Sequence, residues 1–102
     1  MIYGSVEGVK KWLPEVQGTV FDEELYNHLV SASIAAEISL KKVVDIDNMP
    51  MDLFNQISSI VEEWAAGYFR MVRQKGNREL VEDAEKKLEA LISSLKGGVH
   101  VV

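Results

Sequence analysis

The sequence predicts an all-α fold: a compact bundle of about four helices, one short, two long and one medium, with a short extended C-terminal tail. Three observations predict it. Apolar residues recur at three- and four-residue steps through most of the chain, the period of a helix and not of a strand. Helix-start residues stand at Ser5, Asp22–Glu24 and Pro50, and the stop residues Gly76 and Gly97 close apolar runs. The chain has 102 residues, two prolines and no cysteine, which suits a single helical domain over 1–102 and excludes a disulfide framework.

The short helix is expected over 6–12. The Ser5 hydroxyl can accept a bond from a first-turn amide, Glu7 suits the positive end of the helix dipole, and Pro14 disfavours helical geometry at Leu13. Gly8 weakens this helix, so it depends on docking. The second helix is expected over 22–43. Three acids, Asp22, Glu23 and Glu24, open it, with Thr19 a competing cap. Leu25, Leu29, Ala32, Ala36, Leu40 and Val43 form one stripe, and Val30, Ile34 and Ile38 form a second beside it. That face is wider than a surface helix needs.

Asn48-Met49-Pro50 reads as a turn. The third helix, over 51–74, is the most apolar and the expected centre of the core, ending in Arg70, Arg73, Lys75 and Gly76. The fourth, over 78–96, is capped by Asn77, with Glu82–Lys86 and Asp83–Lys87 as favourable pairs one turn apart. Gly97 is its expected stop, and Val99-His100-Val101-Val102 has β character. The expected core comprises Leu29, Leu40, Phe54, Ile57, Val61, Trp64, Tyr68, Leu88 and Leu91.

Composition narrows function before any motif does. The apolar share is 47%, the charged share 26%, and the net charge −5. An acidic chain of this kind does not suit a protein that holds nucleic acid through a general basic surface. No apolar run approaches the length of a membrane span. The first residues lack the basic-then-apolar order of a secretory signal, so a protein that stays in the cytoplasm where it is made is expected.

The chemistry-bearing residues give little support to an enzyme. His28 lies four residues after Glu24, whereas a carboxylate-bridged metal bundle uses a spacing of three. His100 sits near the chain end. Glu62 and Glu63 are adjacent on a helix and so diverge, and Glu37 is flanked by Ala36 and Ile38. A metal reading would have to assemble Glu24, His28, Glu37 and Glu62. No nucleophile elbow or phosphate loop is present. No catalytic residue, cofactor, metal or small-molecule substrate is therefore expected.

Arg70, Arg73, Lys75 and Arg78 are the densest basic cluster. They can complement the end of the third helix, or contact an acidic partner or phosphate. Trp64 and Phe54 fit a core better than a ligand box. The surplus lies elsewhere. Val30, Ile34, Ile38, Val44, Ile46, Val99, Val101 and Val102 are more apolar positions than a small helical monomer readily hides, and they are the expected oligomer or partner interface.

The order of these pieces resembles the small head–tail connector proteins, also called head-completion or adaptor proteins, of tailed viruses and proviruses. The resemblance rests on the opening Tyr3-Gly4-Ser5-Val6-Glu7-Gly8-Val9-Lys10-Lys11-Trp12-Leu13 and on the small-residue helix from Asp22-Glu23-Glu24-Leu25 through Ala32-Ser33-Ile34-Ala35-Ala36-Glu37-Ile38. It continues in Met49-Pro50 before Trp64-Ala65-Ala66-Gly67-Tyr68-Phe69-Arg70, and in Ala84-Glu85-Lys86-Lys87-Leu88-Glu89-Ala90-Leu91-Ile92 before Gly97-Gly98-Val99. It covers nearly the whole chain by order and texture, without a catalytic signature. The resemblance implies a structural subunit of a homo-oligomeric ring, commonly of about twelve copies, at the virion's head–tail junction. Such a ring docks under the portal, receives a tail or stopper protein, and lets DNA pass without sequence-specific binding. Two features depart from that pattern: the Asp45–Asp52 connection and the segment after Gly98 are both short. The competing reading is a small helical homodimeric interaction or regulatory module without catalysis.

Overall fold

In the computed structural model, the backbone is described for residues 1–100 and the side chains for residues 1–96. Four α-helices follow one another: α1 (Val6–Lys10), α2 (Asp22–Leu40), α3 (Met51–Arg73) and α4 (Glu79–His100). A single 3-10 turn, Ile46–Asn48, lies between α2 and α3. No strand occurs among the described residues. The fold is the all-α bundle that helical periodicity predicts.

α3 is the central element and packs against α1, α2 and α4. Its Ile57, Ile60, Val61, Trp64, Ala65, Ala66 and Phe69 are all buried. α2 supplies Leu25, Leu29, Ala32, Ala36 and Leu40, and α4 supplies Val81, Ala84 and Leu88. α3 and α4 approach closely at Gly67, where a Cβ would stand 2.7 Å from the Val81 backbone nitrogen. The molecule is elongated, 48 × 25 × 19 Å. Of the expected core, Phe54, Tyr68 and Leu91 are only partly buried, and the others are buried.

Several boundaries differ from expectation, each for a local reason. α1 stops at Lys10, and the chain continues through the tight bonds Trp12 N–H to Val9 O and Leu13 N–H to Lys10 O, both 3.0 Å. Leu13 is thereby turned fully into the core. α2 ends at Leu40, whose carbonyl accepts both the Val43 and Val44 amides at 2.9 Å. Thr19 does not cap α2 with its side chain; its carbonyl accepts the Asp22 amide at 3.1 Å.

Other signals act as expected. The Ser5 Oγ accepts the Gly8 amide at 3.0 Å, and the Asn77 Oδ1 accepts the Glu79 amide at 3.1 Å. Gly76, with φ 78°, turns the chain after α3. The C-terminal expectation is corrected: α4 does not stop at Lys96 but runs through Gly97 and Gly98 to His100. Glycine lowers helix stability without forbidding the conformation. Val101 and Val102 lie outside the described residues.

Candidate functional site

The outer face of α2 exposes large apolar side chains near the middle of a long helix. Its core side is satisfied by Leu25, Leu29, Ala32, Ala36 and Leu40, and the opposite side still carries Ile34 at 58% exposure and Ile38 at 54%. Tyr26 is also exposed and Val30 half-buried. Two shallow depressions extend this surface. One is lined by Met1, Ile34, Glu37, Ile38 and Lys41. The other, lined by Met1, Ile46, Asp47, Met49, Met51 and Phe54, shares Met1 with it. The residues named in advance as an interface therefore divide. Ile34 and Ile38 lie open, whereas Val44 and Ile46 pack partly against the core. The side chains of Val99, Val101 and Val102 lie outside the described ones.

Beside this surface the N-terminal segment is locked down. Tyr3 is fully buried, its amide donates to Ser33 Oγ at 3.0 Å, and its ring lies 5.5 Å from that of Phe54. Burial, reinforced by the nearby Glu37 carboxylate, pushes the Tyr3 phenol above its ordinary pKa. The Met1 ammonium pairs with Glu37 Oε2 at 3.4 Å. The Ser5 amide donates to Glu62 Oε2 at 2.9 Å. Gly4, at φ 84°, and Gly8 line the space that the Glu62 side chain fills, and a Cβ on either would collide with it. Glu62 is thus a docking residue for the start of the chain.

The basic cluster is largely engaged within the chain. Arg70 grips Glu15 in a two-pronged pair, with Nη2 to Oε1 at 3.0 Å and Nε to Oε2 at 3.2 Å. Arg73 grips Glu24 in the same way, with Nη2 to Oε1 at 2.7 Å, and its guanidinium lies over the Phe69 ring at 3.9 Å. The hydrogen bonds from these arginines hold the Glu15 and Glu24 carboxyls below their usual pKa range. Arg78 lies 3.8 Å from Glu82 and 3.7 Å from Glu85. Lys75 is exposed.

The four residues of the metal reading are not brought together around one point. His28 Nε2 lies 3.3 Å from Glu24 Oε2, but Glu24 is also held by Arg73. Glu37 meets the N-terminus and Glu62 meets Ser5. Among the described residues, no group of three or more His, Asp or Glu could hold a metal ion. No described helix is long and apolar enough to cross a membrane.

One buried polar contact was not legible in the spacing. Glu63, 2% exposed, accepts from Lys87 Nζ at 2.9 Å, and that ammonium also lies 5.0 Å from the centre of the Trp12 ring. Lys87 therefore joins α3 to α4 and reaches the segment after α1, and the expected local pair with Asp83 does not form. Periodicity could have placed Glu63 on the α4 side, four residues before Gly67, but not its partner 24 positions away.

No family model, curated protein or solved structure matches this chain.

Proposed function

We propose that this protein is a non-enzymatic assembly subunit, in the first reading a head–tail connector of a tailed virus or provirus. The observation that carries an assembly role is the open apolar surface from Ile34 and Ile38 across Met1 to Met51, on a helix whose other side already fills the core. Contiguous exposed apolar surface on a small domain marks an interaction face. The viral assignment is supported by the order of segments along nearly the whole chain: the Tyr3–Leu13 opening, the small-residue helix, the Met49-Pro50 connection and the aromatic helix. In this reading copies close into a ring beneath a portal, a tail or stopper protein binds the other side, and DNA passes through. The net charge of −5 suits a lumen that does not hold phosphates.

The test is co-expression with the portal and major capsid proteins of the same genome, followed by native mass spectrometry. A multi-copy ring bound to the portal is the expected result. A chain that never joins the portal overturns the assignment.

The second reading is a small homodimeric interaction module. It is favoured by one feature of α2: its outer face carries an acid, Glu23, near the N-terminal end and a base, Lys41, at the other end, with aliphatic residues between.

A further inference from the structure

Six positions of α2 recur at alternating four- and three-residue steps: Glu23, Asn27, Val30, Ile34, Glu37 and Lys41. That alternation is the heptad seam by which two helices pack side by side. At 100° per residue these six fall within a stripe about 80° wide, whose centre lies about 100° or more from the core-facing Leu25, Leu29, Ala36 and Leu40. Lys41 belongs to the same helical path, because its backbone is still α-helical, with φ −64° and ψ −11°. Glu23, Asn27, Ile34 and Lys41 are exposed, and Val30 and Glu37 are half-buried.

The chemistry along the stripe reads acid, amide, aliphatic, aliphatic, acid, base. Laid against its own reverse, each position meets a compatible partner. Glu23 faces Lys41, Asn27 faces Glu37, and Val30 faces Ile34, each match occurring twice. Laid parallel, Glu23 would face Glu23 and Lys41 would face Lys41, which is repulsive at both ends. Among the described residues, neither Glu23 nor Lys41 forms an ion pair within its own chain. Ile38 flanks the seam, and Met1 lies beside Ile34 and Ile38, widening the apolar centre.

We infer that the outer face of α2 docks a second copy of this chain, with the two α2 helices antiparallel about a two-fold axis near the middle of the helix. This pairing rests on the second reading above and needs no portal. The stripe spans roughly 28 Å and has two apolar layers, so the contact belongs to the small, reversible class of interfaces, with a dissociation constant from about micromolar to millimolar. Its end layers are exposed ion pairs, and added salt weakens it.

The experiment measures dimerisation of the intact chain by sedimentation velocity over a wide concentration range. Ile34→Asp is exposed, so it should leave the fold intact, as circular dichroism would verify. It is expected to weaken dimerisation by more than about tenfold. Glu23→Lys and Lys41→Glu each weaken it by roughly threefold to tenfold, and the doubly swapped chain returns to within about twofold of the original. Because the chain has no cysteine, introduced thiols report the register directly. A mixture of Glu23→Cys and Lys41→Cys chains should give the mixed disulfide. Neither variant should pair efficiently with itself, because like sites lie about 27 Å apart along the antiparallel pair.

A dimer insensitive to Ile34→Asp, or one joined by like-site disulfides, overturns the seam and leaves the homodimer reading standing. A chain that is monomeric throughout overturns both. Ring formation with a portal bears on the connector reading alone.

Discussion

α2 and α3 are the two helices whose lengths the sequence nearly gives away, yet they spend their apolar residues differently. α3 directs Ile57, Val61, Trp64, Ala65 and Phe69 into the core, and its most exposed apolar residues, Met51 and Val72, stand near its ends. α2 buries Leu25, Leu29 and Leu40 on one side and exposes Tyr26, Ile34 and Ile38 on others. Burial within the monomer accounts for the apolar pattern through the middle of α3 but not for that through the middle of α2, where Ile34 and Ile38 stay open. The unspent half is where assembly is to be sought.

That comparison breaks or sharpens under substitution. The largest effect is expected at the centre of α3. Trp64, 8% exposed, becomes a cavity in Trp64→Ala and should cost about 3–5 kcal/mol by chemical denaturation. A loss under about 1 kcal/mol would show that α3 is not the core helix. Next is Gly67→Ala, where the new methyl meets the Val81 backbone, which cannot rotate away. Forcing α3 and α4 apart should cost about 1–3 kcal/mol, measured in the same way.

A smaller effect appears as pH dependence, through the Arg73–Glu24 pair that ties the end of α3 to the start of α2. The hydrogen bonds from Arg73 hold the Glu24 carboxyl below its ordinary pKa. A depressed carboxylate stabilises the fold above its unfolded pKa, and that contribution is lost as the pH falls through the folded value. The thermal midpoint of the unsubstituted protein should therefore fall further than that of Arg73→Ala on going from neutral pH to below about 4.5. Parallel pH curves would remove the pair from the account of stability. The smallest effect is Ile34→Ala. With 58% of Ile34 already in water, monomer stability should shift by no more than about 0.5 kcal/mol. A large loss would mean that the outer face of α2 is core after all.

Helix content, the cap at Ser5 and the break at Gly76 were legible because they depend on neighbours within a few residues, whereas the turn expected at Asn48-Met49-Pro50 falls earlier, at Ile46–Asn48, and leaves Met49 and Pro50 extended. The candidate interface was legible in part. Ile34 and Ile38 stand out because a second apolar stripe beside a full core stripe has nowhere to go within one helix pair. Val44 and Ile46 looked equivalent in sequence and are partly covered, since the chain folds them back after α2 ends early at Leu40. Arg70 and Arg73 read in sequence as complements of the helix end or as partner contacts, and their pairing with Glu15 and Glu24 was not legible because those carboxylates lie 55 and 49 positions away.

The sequence by itself determined the class of fold and the amphipathic faces, because periodicity and capping are local properties of the backbone and its side chains. Only the tertiary structure decided that Tyr3 is core, that Glu62 holds Gly4–Gly8 in place, and that the buried Glu63 is answered by Lys87. Each joins segments far apart in the chain. A buried carboxylate or an inward tyrosine is tolerated only where packing brings its partner to it, and single-helix periodicity carries no record of which helix that is.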